Sequence, residues 1–122
     1  MKNIIVLFFV LISVGFSSHE LSAQSAKLDT VTLQVPGVCN MCKTRIETAS
    51  YDVAGVKSVN WDLDTEILTA VILKKKTSRQ EIADALAKAG YKSELADADS
   101  EAYSNLPACC QYDSGVEKHG KQ

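Results

Sequence analysis

The stretch that most restricts the fold is Pro36-Gly37-Val38-Cys39-Asn40-Met41-Cys42, where a pattern repeating every second residue stops and one with helical spacing begins. Val31, Leu33 and Val35 alternate with Thr30, Thr32 and Gln34, as in a strand with one buried face. Pro36 and Gly37 end that strand. Ile46, Ala49 and Val53 then share one helical face with Cys42, which predicts a helix over 41–53. Two cysteines therefore occupy a strand-to-helix joint, the second in the first helical turn, where unpaired backbone N–H groups favour a thiolate. Such a joint can bring both sulfurs within about 4 Å of one point, and a glycine-preceded turn is expected to leave them exposed. Two uses fit that arrangement, a clamp for a soft metal ion or a redox pair.

The remaining pattern completes a small α+β unit. Gly55 closes the first helix, Val59, Trp61 and Leu63 alternate, and Asp64-Thr65 makes a turn into the β-rich run Ile67 to Leu73, so a hairpin is expected. Ser78 with Glu81 three residues later forms a capping box, Ile82, Ala85, Leu86 and Ala89 follow helical spacing, and Gly90 ends that helix. A last strand is predicted over 91–95. The order strand, helix, strand, strand, helix, strand makes a βαββαβ sandwich, a four-stranded antiparallel sheet with both helices on one face. The expected core is Val31, Leu33, Val35, Ile46, Ala49, Val53, Val59, Ile82, Leu86 and part of 67–73, with Trp61 half buried. From residue 97 to 122 no period persists, and a polar, irregular tail, loosely docked at most, is expected there; its one apolar knot, 106–112 with Tyr103 just ahead, is able to pack back onto the domain.

The N-terminus has the layout of a secretory leader: a positive start at Lys2, an apolar run over 4–16, and small polar residues leading to a cleavage point near Ala23. This thirteen-residue run falls short of the ~20 apolar residues that span a bilayer, with an uncleaved anchor as the alternative to cleavage. Export places the four cysteines where thiols tend to oxidise, but they form two close pairs, Cys39/Cys42 and Cys109/Cys110, and close pairs gain little as structural staples. A formal net charge of −2 argues against a nucleic-acid partner. Three domain-level segments follow: a leader over 1–23, one domain over 28–96, and the tail.

Over residues 30–95 the chain resembles the heavy-metal-associated domain, the module of copper chaperones, P-type ATPase N-termini and periplasmic mercury-binding proteins. Cys39 and Cys42 match the two metal thiols of that family's loop. Ile46, Ala49, Gly55-Val56, Val59 and Gly90-Tyr91 match its framework. The resemblance implies a ferredoxin-like fold, metal carriage rather than catalysis, a single-chain carrier, and a membrane metal transporter or another metal-binding protein as partner. Two departures stand out. The family's methionine beneath the loop is replaced by the Pro36-Gly37-Val38 sequence, with Met41 facing outward or capping the core, and Ser50 stands where a core leucine is common.

Thiolates select soft ions, and two of them on an open loop suit Cu(I) first, or Hg(II); Zn(II) and Cd(II) would need further ligands. Lys43 and Arg45 beside the helix start can lower the thiol pKa, or serve as ordinary helix charges. Tyr91 resembles the aromatic neighbour of the loop in bacterial family members. For Cys109 and Cys110 three roles stay open: ligands added to the Cys39/Cys42 site, a separate site or interchain bridge, or an inert oxidised pair. His119 is isolated and expected in solvent, and His19 leaves with the leader. A thiol–disulfide oxidoreductase using Cys39 as nucleophile is the alternative, as is a module whose tail folds on metal binding. Sulfurs buried in the apolar interior, or pointing apart, would count against a carrier.

Overall fold

The elements from the first strand to the second long helix follow from local patterns, and the three strands meet in one sheet. The computed structural model describes residues 27–115 together with 117 and 118; the expected leader lies outside the described residues. The elements are β1 (Leu28–Gln34), α1 (Asn40–Tyr51), β2 (Val56–Trp61), β3 (Ile67–Leu73), α2 (Arg79–Lys88), α3 (Ser100–Ser104) and a 3-10 turn (Ala108–Cys110). β3 is central in the order β1-β3-β2. It pairs antiparallel with β1, Val31 opposite Ala70, and with β2, Trp61 opposite Leu68, with an irregularity between Val56 and Ser58. Leu68, Ala70 and Ile72 alternate inward along β3 and meet Leu33 of β1, Ile46 of α1, and Ile82, Ala83 and Leu86 of α2. Val31, Ala49, Val53 and Val59 are half-buried at the margin of this core.

The helix ends are those the residues specify. Ser78 accepts the Glu81 N–H while the Glu81 carboxylate accepts the Ser78 N–H, the reciprocal capping box. Ser50, fully buried, donates its hydroxyl to the Ile46 carbonyl at 2.7 Å, so the polar group is satisfied inside its own helix. β2 stops at Trp61, two residues earlier than Leu63, because the Asp62 carboxylate accepts both the N–H and the hydroxyl of Thr65 and organises the hairpin loop.

Two expectations fail at the C-terminal end. Residues 91–95 form no strand, so among the described residues the sheet has three strands and β1 is an edge. Their backbone is committed elsewhere. The Lys92 N–H donates to the Tyr112 hydroxyl at 3.0 Å, the Ser93 N–H closes a turn onto the Ala96 carbonyl, and Tyr91 turns fully inward. Arg79 takes up the β1 edge instead, donating to the Thr32 carbonyl and pairing with Glu94.

The tail, in turn, is not irregular. Asp99 caps α3, Leu106 and Cys110 are buried, and Tyr112 stacks on Tyr91 with centroids 5.7 Å apart while Tyr103 meets it edge-on at 5.1 Å. Gly90, with φ of 93°, lies so close to this layer that a Cβ there would stand 2.9 Å from the Ala102 carbonyl carbon. A five-residue helix is too short to show a period, and what holds it is contact with the domain. Among the described residues no helix is long and apolar enough to cross a membrane.

Candidate metal centre

The joint between β1 and α1 carries the first two sulfurs. Cys39 is the N-cap of α1 in an extended conformation, and its Sγ accepts the Cys42 N–H at 3.4 Å. The side chains turn toward each other, leaving the two Sγ atoms 3.2 Å apart. Trp61 supports the loop from below. Its indole, fully buried, donates Nε1–H to the Val35 carbonyl at 2.9 Å, and a Cβ on Gly37 would sit 2.8 Å from its Cζ2. The half-buried ring expected from sequence is thus wholly enclosed, packed against Gly37 of the loop. Met41 points outward, about half exposed.

A third sulfur arrives from the tail. The Cys110 Sγ lies 3.7 Å from that of Cys39, and the sulfurs of Cys39, Cys42 and Cys110 all fall within 4.8 Å of one another. Cys109 is exposed and stands outside the trio. The 3-10 turn explains the split, because adjacent residues on so tight a helix project in different directions. The thiols are not open to solvent as the turn chemistry predicts: Cys39 is 8% exposed and Cys42 and Cys110 are fully buried. The reason is the docked tail, which brings Cys110 against the pair. Burial, one of the two outcomes set against a carrier, is thus met; the other is not, because the sulfurs converge rather than point apart.

Of the three neighbours expected around the pair, Tyr91 is at the sulfurs. Its hydroxyl is buried, has no hydrogen-bond partner among the described residues, and lies beside Cys42 and Cys110. The Lys43 ammonium is engaged with Glu47 at 2.8 Å, the Trp61 carbonyl at 2.5 Å and Asn60, and Arg45 is exposed. His119 lies outside the described residues.

Ionisation is divided unevenly over this cluster. Burial pushes the Cys39 thiol up, but donation from the Cys42 N–H and from the thiols of Cys42 and Cys110 outweighs it, and the net shift is downward. Cys110 moves well above the usual thiol range, through burial first and then through donating to Cys42 and Cys39. Tyr91 is raised by burial and by the negative charge of the same sulfurs. Cys39 is therefore favoured as a thiolate over Cys110. Sequence reasoning left Cys110 as one of several options; the apolar knot over 106–112, with Tyr103 just ahead, is the signal of docking, and the structure packs it against the domain core.

No protein-family model matches the chain. It is 37% identical over 71 residues to the mercuric transport protein periplasmic component of Pseudomonas aeruginosa, spanning 57% of this chain and 78% of that protein. The protein of the same description from Serratia marcescens matches to the same extent. Among solved structures, oxidised MerP from Ralstonia metallidurans superposes with a TM-score of 0.53 at 37% identity, over 55% of this chain and 94% of that one. A CopZ metallochaperone superposes with 0.52 at 26% identity, over 53% and 98%. With the two-cysteine loop in the same ferredoxin-like frame, the chain belongs to the heavy-metal-associated family that includes these periplasmic mercuric-transport components.

Proposed function

We propose that this protein is an exported carrier that grips one soft cation through Cys39 and Cys42 and hands it on by thiolate exchange. The observation that carries the reading is the convergence of those two sulfurs, 3.2 Å apart, at the N-terminus of α1. The relatives' names describe a transport component and a metallochaperone, carriers rather than catalysts, and this chain is read as a non-enzyme of the same kind. Two thiolates alone satisfy Cu(I) or Hg(II), and Cu(I) is the first cargo to test, with Hg(II) brought beside it by the mercuric relatives. Exchange proceeds when an incoming thiolate joins the cation before a resident one leaves. Because Cys110 covers the pair, the tail must lift for that to happen. The partner is then a membrane transporter or another metal-binding protein presenting its own thiols. The periplasmic relatives support export, with residues 1–23 as the leader.

Titration of the reduced, full mature chain with Cu(I) and with Hg(II) against a competing dithiol tests this. One equivalent is expected to bind, with binding lost in Cys39→Ser and Cys42→Ser. Undiminished binding in the double variant overturns the assignment. Turnover of a mixed-disulfide substrate without metal would identify a thiol–disulfide oxidoreductase instead.

A further inference from the structure

We infer that Cys39, Cys42 and Cys110 together form a three-thiolate site that takes a trivalent thiophilic centre, with the tail as the latch that supplies the third sulfur. The inference rests on the reading of Cys39 and Cys42 as a soft-cation pair, and goes beyond it in ligand number and cargo. Distances come first. With metal–sulfur bonds of ~2.3 Å, two thiolates in line with a cation stand ~4.6 Å apart, and three in a plane around it ~4.0 Å apart. The observed separations are 3.2 and 3.7 Å, with the third edge within 4.8 Å. They are nearer the triangle than the line. A pyramidal centre that sits out of the sulfur plane draws its ligands closer still, as these are.

Charge selects among three-coordinate ions. Three thiolates around a monovalent cation leave two negative charges, around a divalent one a single charge, and around a trivalent one none. A buried net charge without a partner is costly. This pocket is buried on all three sulfurs. Lys43 spends its ammonium on Glu47, Asn60 and the Trp61 carbonyl, and Arg45 faces solvent. The neutral complex is therefore the one the surroundings accept. Tyr91 supplies a second sign of a ligand: a buried hydroxyl with no oxygen or nitrogen partner among the described residues, lying beside Cys42 and Cys110 and able to donate to sulfur.

The third ligand is held in place rather than delivered by chance. The Cys110 N–H closes onto the Pro107 carbonyl at 2.7 Å. The Tyr112 hydroxyl donates to the Gly90 carbonyl at 2.9 Å, and Lys92 pairs with Asp113. A tethered ligand at high effective concentration competes with any incoming thiol, so release of the cargo requires the tail to lift. With arsenite as the reagent the chemistry balances without a change of oxidation state. Three S–H and three As–OH bonds break, three As–S bonds form, and three waters leave.

Reduced full-length mature protein titrated with arsenite and read by intact native mass spectrometry tests this. The expected adduct is one arsenic gained with three hydrogens lost and no hydroxyl retained, identical in Cys109→Ser. Cys110→Ser is expected to keep Hg(II) through Cys39 and Cys42 while its arsenite affinity drops by about a hundredfold. Should that variant misfold, alkylation of the arsenite-loaded wild type decides: Cys39, Cys42 and Cys110 shielded, Cys109 modified. The inference is overturned by an adduct that keeps an As–OH bond, by Cys110→Ser binding arsenite within about twofold of wild type, or by Cys110 alkylating as readily as Cys109. Hg(II) or Cu(I) bound with no arsenite bound sinks this inference alone; failure to bind any of the three also sinks the carrier.

Discussion

Replacing Gly37 by alanine probes how the thiol loop is supported. The new methyl would stand 2.8 and 2.9 Å from Cζ2 and Cη2 of Trp61 and 3.3 Å from Cβ of Cys42. Gly37 is not among the residues with positive φ, so backbone strain adds nothing and the cost is steric. The indole cannot swing freely, because Nε1–H is bonded to the Val35 carbonyl and the ring is fully buried. Overpacking of this kind costs about 1–3 kcal/mol. In a domain of this size each kcal/mol lowers Tm by about 4–8 °C. Trp61→Phe removes both clashing ring carbons and leaves the Val35 carbonyl without its donor, a loss of about 2–3 kcal/mol by itself. In the double variant the alanine methyl enters vacated space, so the summed loss should shrink by about 1–2 kcal/mol. Urea unfolding of the four reduced proteins, followed by far-UV circular dichroism, measures the cycle. A Gly37→Ala cost under about 0.5 kcal/mol, or additivity within that margin, would refute the claim that Trp61 braces the loop.

Loss of the capping box in Ser78→Ala should cost about 0.5–2 kcal/mol in the same assay, since Ser78 and Glu81 satisfy each other's N–H. Gly90→Ala places a Cβ 2.9 Å from backbone atoms of Ala102 and Tyr103 at a φ of 93°, so the tail should loosen and Cys110 alkylate faster in the metal-free protein; an unchanged rate would detach Gly90 from tail docking. Burial, as the largest cause, pushes Tyr112 up to about 12 from its ordinary 10. The native state thus holds that proton longer than the unfolded chain, and the stabilisation is complete below pH 10 and lost as pH rises through about 12. Alkaline titration should show a phenolate absorbance step coinciding with a rise in Cys110 reactivity, and Tyr112→Phe should remove that step.

Much of the frame was legible because it is written in short-range patterns. The capping box at Ser78 and Glu81, the run Ile67–Leu73, and the Cys39/Cys42 pair at a helix start each depend on residues within one or two turns of each other. The last strand was misread for the opposite reason. Residues 91–95 carry only Tyr91 and Leu95 as strand-type positions, and Tyr91 gains more by burial against the sulfurs and Tyr112 than a short edge strand would supply.

What the amino-acid order determined alone was the succession from β1 to α2 and the meeting of two thiols at the β1–α1 joint, since both follow from spacing along the chain. Only the tertiary structure decided that Cys110, 71 residues from Cys39, closes that pair while Cys109 faces water. The physical reason is that docking the tail depends on aromatic packing and hydrogen bonds between distant segments. No local period encodes the sum of those contacts.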